Sequence, residues 1–139
     1  MKKVLLLLVV VVAIVAVGAL ALGKGKAEMY KGYLSDVACA TSATGKAADG
    51  TVMKTDAEKH TVACMLAAPC AASGYGLEIN EGTATAKNYV FYKFDKKGND
   101  LAAKIVKNTK KKSGVSVEVK GMKEKDMIKV ISIKEITMK

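Results

Sequence analysis

The chain has 139 residues with 23 basic and 13 acidic side chains, and every basic one is a lysine. A chain of this length forms one small domain at most, which excludes a large enzyme scaffold. Arginine, the side chain best suited to bidentate contacts with bases and phosphates, is absent, so the basic balance does not predict a nucleic-acid partner. A lysine-rich surface instead favours anionic partners such as lipid headgroups or acidic envelope polymers.

The first 23 residues predict export. Two lysines follow Met1, and residues 4–22 are apolar apart from Gly18. This pattern is typical of a secretory signal peptide with Ala19-Leu20-Ala21 as the cleavage site. Because 19 helical residues reach about 28 Å, an uncleaved membrane anchor is the alternative. Under both interpretations the basic start stays in the cytoplasm, so the rest of the chain is extracytoplasmic, in the periplasm or cell envelope or secreted.

Residues 24–139 are therefore predicted to form the exported domain, with a net charge of +8. Aromatic and β-branched residues predict a first strand over residues 29–37, interrupted by Gly32 as at a bulge. Residues 40–54 have no periodicity and predict a loop. Thr55 and Glu58 form a capping box, and the helix that begins there is expected to end at Leu66 or Ala67, before Pro69.

The second half of the domain predicts four more strands and a second helix. A strand starts at Leu77, another covers residues 88–95, and a helix capped by Asn99 or Asp100 covers residues 101–112. Alternating valines predict a strand over residues 115–120, and the last strand covers residues 127–136 with a bulge at Val130-Ile131. The fold class is thus mainly β with two short helices. The order of elements predicts a five-stranded OB-like barrel with a helical insertion between strands 1 and 2.

The three cysteines and the single histidine fall within one stretch of 32 residues at this insertion. They are Cys39, His60, Cys64 and Cys70. A spacing of four residues on one helix places His60 and Cys64 on the same face, where both side chains can bind one ion. The four residues together make a Cys3His set, which is a closed zinc arrangement. Copper(I) is a second candidate because thiolates are soft ligands and Met65 is adjacent. The resulting hypothesis is a small binding module with a structural or metal-handling site.

The alternative is a disulfide, because exported proteins usually oxidise their cysteines. Three cysteines give one disulfide and a leftover thiol, and the chain would then be a disulfide-stapled interaction module for an anionic polymer or a partner protein. The lysine stripe formed by Lys104, Lys107 and Lys111 is typical of a solvated face whose charges suit the helix dipole, and its alternative role is a basic surface for such a ligand. Whether the cysteines hold a metal or form a disulfide stays open at this point.

Enzymatic activity is not expected. The chain has no Cys-x-x-Cys pair of the thioredoxin type and no haem-attachment motif. A nucleophilic pair of a cysteine with His60 would lack an identifiable orienting group and oxyanion donors. We therefore predict no catalytic residue and no organic cofactor, and we expect a monomer. Asp36, three residues before Cys39, is a candidate to orient a histidine ligand.

The segment from His60 to Gly76, with Cys64, Pro69 and Cys70 at its centre, resembles a family of small exported bacterial proteins whose function is unassigned. Further stretches support the resemblance: residues 32–36, 92–95, 117–121 and 128–130. The resemblance extends over nearly all of residues 29–136. It implies a signal peptide followed by an OB-like β-barrel, and a shared pattern of Asp-x-x-Cys followed by His, Cys and Cys.

Overall fold

The computed structural model describes residues 25–138, so the predicted signal peptide or anchor of residues 1–23 lies outside the described residues. The described part is mainly β. Its five strands are β1 (Glu28–Asp36), β2 (Tyr75–Asn80), β3 (Tyr89–Phe94), β4 (Ser116–Glu124) and β5 (Met127–Glu135). Its α-helices are α1 (Val37–Ala40), α2 (Met53–Asp56), α3 (Val62–Leu66), α4 (Ala68–Ser73) and α5 (Lys96–Asn108), and a 3-10 turn covers Ala57–Lys59. Over residues 25–138, none of the helices has the length and apolar character needed to span a membrane.

The five strands form one mixed sheet whose neighbours follow the order β1-β2-β3-β5-β4, and β4 returns to pair with β1. All pairs are antiparallel except β3 with β5, which are parallel over a short register. β1 bridges two partners because its first half pairs with β4 and its second half with β2. Each strand therefore has a partner on both sides, and the contact that closes the ring between β3 and β5 covers only two residue pairs.

The predicted strand positions are confirmed to within a few residues, and so is the predicted bulge in β5. Lys120 pairs with Ser132 whereas the next residue, Gly121, pairs with Val130, so Ile131 is the extra residue. The bulge predicted at Gly32 is wrong. Gly32 pairs in regular register with Val117, and its missing side chain makes room for the backbone carbonyl of Glu78.

Gly32→Ala is expected to lower the free energy of unfolding by about 1–3 kcal/mol, the usual range for overpacking. The added methyl group would meet the carbonyl oxygen of Glu78, which belongs to the sheet backbone and cannot rotate away. Gly25→Ala is the matched control, because a methyl group there meets nothing within 4 Å. Urea denaturation of both variants checks the prediction, and equal stabilities would contradict it.

α5 begins five residues earlier than predicted. Asp95, rather than Asn99 or Asp100, caps it: the Asp95 carboxylate accepts hydrogen bonds from the amides of Gly98 at 3.0 Å and Val130 at 3.1 Å. The bond to Val130 comes from another strand, so no local pattern could show that Asp95 is the better cap. Ala102 and Val106 of α5 are fully buried in the main core. This core also contains residues from all five strands: Leu34, Leu77, Tyr92, Val117, Val119 and Ile128.

The insertion between β1 and β2 covers the opposite face of β1. Successive strand side chains point to opposite faces, and Leu34 packs in the main core while the neighbouring Tyr33 packs against a second, smaller cluster. That cluster is built mainly by the insertion: Cys39, Ala47, Met53, Ala57, Cys64 and Cys70, with Tyr89 from β3. All three cysteines therefore lie in a small core of their own, outside the main one.

The single helix predicted from Thr55 to Ala67 is wrong. The chain is helical on both sides of His60, but His60 itself has an extended backbone with φ −60° and ψ 131°. Thr61 then starts α3 as its N-cap. The break is held by long-range bonds, because His60 and Val62 bond through their backbones to Gly114 and Lys112 after α5. His60 and Cys64 consequently do not share one face of a continuous helix.

Candidate metal centre

The three cysteine sulfurs meet inside the small core. Cys39 Sγ lies 3.6 Å from Cys64 Sγ and 3.8 Å from Cys70 Sγ. All three residues are nearly buried, with 4%, 9% and 6% of their surface exposed for Cys39, Cys64 and Cys70. Three thiols in contact and shielded from water are a donor set for a soft or borderline metal ion.

Each cysteine occupies the third position of a short helix, within its first turn. Asp36 caps α1 by accepting a hydrogen bond from the Cys39 amide at 2.9 Å. Thr61 caps α3 by accepting one from the Cys64 amide at 3.2 Å. Cys70 follows Pro69 in the first turn of α4, where proline is tolerated because the first amides of a helix need no partner within it.

The disulfide of the alternative interpretation is absent from the described structure. All three cysteines are free, and the two sulfur contacts are far longer than the roughly 2.05 Å of an S–S bond. The structure therefore presents a reduced cluster of three thiols, in which Cys39 contacts both other sulfurs.

Asp36 completes the cluster. One carboxylate oxygen of Asp36 and the three sulfurs all lie within 4.8 Å of one another, and the Asp36 side chain has no exposed surface. The Cys3His prediction grouped the cysteines with His60 instead. In the structure His60 belongs to a neighbouring group with Asp49 and Cys64, and this second group shares only Cys64 with the first.

His60 is 1% exposed and lies between two carboxylates. Its Nε2 is 2.9 Å from Asp36 Oδ2, and its Nδ1 is 2.9 Å from Asp49 Oδ2. A carboxylate only accepts, so both ring nitrogens donate when His60 is an imidazolium cation, the state that its raised pKa favours. In this state neither ring nitrogen has an electron pair for a metal ion. In this arrangement His60 holds the carboxylate of Asp36 in place.

The contacts among His60, Asp36 and Asp49 shift the pKa of each side chain. Burial alone would lower the pKa of His60, but the hydrogen bond to Asp36 and the charges of both carboxylates raise it overall. Burial alone would raise the pKa of Asp36, which the bonds from His60 and the Cys39 amide lower instead. Burial opposes ionisation of Asp49 as well, but hydrogen bonds from Thr61 and Thr51 lower its pKa.

Two of the thiols have raised pKa values because burial disfavours their charged form. Burial raises the pKa of Cys39, and burial raises the pKa of Cys70 to about 11. Cys39 and Cys70 are thus protonated at neutral pH when no cation is near. A metal ion must displace these protons, so binding is expected to release protons and to strengthen as the pH rises.

Asp49 is the part of the centre that our sequence interpretation missed. Its Oδ2 accepts hydrogen bonds from the Thr61 amide and hydroxyl, both at 2.8 Å, as well as from His60. Its position in Asp49-Gly50-Thr51 is typical of a turn, and it also accepts from the Thr51 amide at 3.0 Å. The turn was visible in the sequence, whereas the contact with His60 was not.

Two other expectations change with the structure. Met65, whose thioether favoured copper, is fully buried in the main core rather than in the cysteine cluster. Lys111 of the predicted basic stripe is half-buried, and its Nζ donates to Ser116 Oγ at 2.7 Å and to the Ile136 carbonyl at 2.9 Å. Lys111 therefore anchors the end of the chain, and Lys104 and Lys107 remain exposed.

A further acidic side chain, Glu78 on β2, lies buried near His60. It is 2% exposed, and its Oε1 has no hydrogen-bond partner among residues 25–138. Burial raises the pKa of Glu78 to about 8, and the nearby charge of His60 only partly offsets this effect. Glu78 is therefore mostly a neutral carboxylic acid at pH 7.

The chain was compared with family models, curated proteins and solved structures, and none of them matches. The chemistry of the centre is therefore interpreted from its own geometry. Three thiols, which lose their protons when a metal ion binds, and one carboxylate held by His60 offer four donor atoms within 4.8 Å of one another. This set can bind a divalent cation.

Proposed function

We propose that this chain is an exported, OB-like binding module that holds one zinc ion through Cys39, Cys64, Cys70 and Asp36. The observation that carries the proposal is the sulfur geometry. Two thiolates on a tetrahedral zinc ion with Zn–S bonds of about 2.3 Å lie roughly 3.8 Å apart. The two sulfur contacts of Cys39 measure 3.6 and 3.8 Å. These two distances support a zinc ion as the occupant of the cluster.

Asp36 supplies the fourth ligand in this proposal. Carboxylates that bind metals are commonly held by a hydrogen bond from a neighbouring group. Here His60 holds Asp36, Asp49 holds His60, and Asp49 also bonds to Thr61, the cap of the helix that carries Cys64. Four protein ligands leave no open position for substrate, which favours a structural or metal-handling role over catalysis.

The strand order supports the OB-like assignment. A five-stranded ring with parallel β3 and β5, and with α5 between β3 and β4, has OB-type connectivity. The metal centre lies in the connection between β1 and β2, which borders the binding face in OB folds. The apolar segment of residues 4–22 supports export, either with cleavage or as an anchored protein.

Metal binding provides the direct test. The anaerobically purified full-length chain is expected to bind one zinc ion per chain, and X-ray absorption is expected to show three sulfurs at about 2.3 Å and one oxygen near 2.0 Å. His60→Gln is expected to weaken zinc binding by about 10–100-fold, as is usual for residues that orient a ligand. Competition with a chromogenic chelator measures the affinity.

Asp36→Asn separates the ligand from the helix cap, because asparagine caps helices as well as aspartate does. We expect Asp36→Asn to retain its circular dichroism spectrum and to lose more affinity than Asp49→Asn, the matched control at the other ring nitrogen. An imidazole in the absorption spectrum would restore His60 as a ligand in place of Asp36. A chain that takes up no zinc would contradict the proposed function.

A further inference from the structure

We infer that the zinc centre is a peroxide-sensitive switch, in which oxidation joins Cys39 to Cys64 and releases the ion. This inference rests on the proposed function, because it describes how binding at the same site is regulated. The class of oxidant is a small peroxide such as hydrogen peroxide. The product retains one free thiol, Cys70, and reduction by a dithiol restores the centre.

The arrangement of the sulfurs selects the pair. Cys39 contacts both of the other sulfurs at 3.6 and 3.8 Å, whereas within the described residues no hydrogen-bond contact joins Cys64 to Cys70. Every disulfide that forms between contacting sulfurs therefore includes Cys39. The contact with Cys64 is the shorter one, and Cys64 is the most exposed cysteine of the three. A peroxide molecule is about as small as water, so it suits a cluster that is nearly closed.

The chemistry balances as two electron-pair steps. The Cys64 thiolate attacks one peroxide oxygen, the O–O bond breaks, and hydroxide leaves to give a sulfenic acid. The Cys39 thiolate then attacks the Cys64 sulfur, an S–S bond forms, and a second hydroxide leaves. Two thiolates are oxidised by two electrons in total, and one peroxide is reduced to two hydroxides.

The same reaction removes two of the four proposed ligands. Only Cys70 and Asp36 would remain on the zinc ion, and thiolates are the ligands that hold zinc most firmly in such sites. The two sulfurs must approach from 3.6 Å to about 2.05 Å, which draws α1 and α3 together. The cysteines sit on short helices in the insertion, so the ring of strands is not required to move.

The experiment treats the zinc-loaded full-length chain with one equivalent of hydrogen peroxide. Free thiols are expected to fall from three to one per chain, one zinc ion is expected to appear on a chromogenic chelator, and peptide mapping is expected to show the Cys39–Cys64 crosslink. Cys70→Ser, loaded with zinc or metal-free, is expected to form the same crosslink. Cys39→Ser is expected to form none, and a dimedone adduct is expected on Cys64 instead.

Three results would overturn the inference. The first is a Cys64–Cys70 crosslink in Cys39→Ser that forms as fast as the wild-type crosslink. The second is oxidation of the wild type to sulfinic acid without a crosslink. The third is retention of zinc after crosslinking. Circular dichroism of each variant before treatment shows that it is folded, and the metal-free wild type tests the crosslink independently of zinc. If zinc binds with the proposed stoichiometry and no crosslink forms, the switch fails and the zinc centre stands. If zinc does not bind, the proposed function itself fails.

Discussion

Replacement of His60 by alanine is expected to lower the free energy of unfolding of the metal-free chain by about 3–5 kcal/mol, the usual cost of removing one partner from a buried ion pair. Both ring nitrogens of His60 donate to carboxylates, and the side chains of His60 and Asp36 have no exposed surface. The variant leaves Asp36 and Asp49 without their cation, and burial then opposes the ionisation of both. Urea denaturation at pH 7 measures the loss.

The adjacent residue offers a matched control. Lys59 pairs with Asp56 on the surface, so Lys59→Ala is expected to cost no more than about 1 kcal/mol. A second test adds His60→Ala to a chain that already carries Asp36→Asn and Asp49→Asn. If the unpaired carboxylates cause the loss of stability, His60→Ala is expected to lower the free energy of unfolding much less in this doubly substituted chain than in the wild type. An unchanged cost would show that His60 stabilises the chain by packing alone.

Glu78→Gln is expected to stabilise the protein at pH 7 by up to about 3 kcal/mol, because each pKa unit corresponds to about 1.4 kcal/mol. Burial raises the pKa of Glu78 from 4.5 to about 8 in the folded state. The unfolded chain releases this proton from about pH 4.5 upward, while the folded chain keeps it until about pH 8. The wild type therefore loses stability as the pH rises through this window, and glutamine does not titrate.

The expected signature is a difference in slope. Below about pH 4 the two proteins should have similar free energies of unfolding, because the glutamate is then neutral in both the folded and the unfolded chain. Between about pH 4.5 and pH 8 the variant should become progressively more stable than the wild type. Glu118→Gln is the control, since the Glu118 carboxylate pairs with Lys31 at the surface at 3.6 Å. Parallel pH profiles for Glu78→Gln and the wild type would contradict the prediction.

The strands could be predicted because their signal is local. Val115, Val117 and Val119 alternate with polar residues, and all three are fully buried on one face. A break in the alternation of the last strand at Val130-Ile131 likewise marked a real bulge. These patterns depend on which side of a pleated strand faces the core, and neighbouring residues are sufficient to record it.

The helices of the insertion could not be predicted in the same way. The capping box at Thr55 and Glu58 indicated one helix through Ala67, yet the helix is interrupted at His60, whose backbone is extended. Asp49, 12 residues before Thr61, binds the Thr61 amide and hydroxyl and makes Thr61 a new cap. A short helix has little intrinsic stability, so a few long-range hydrogen bonds are enough to divide it.

The sequence by itself determined the composition of the centre: three cysteines and one histidine in a short insertion between the first two strands, next to Asp36. Only the tertiary structure decided their roles. His60 meets Asp36 from 24 residues away and Asp49 from 11 residues away, and the two carboxylates take both of its nitrogens. The physical reason is that a ligand is defined by where its electron pairs point. That direction depends on every group that the fold brings into hydrogen-bonding distance.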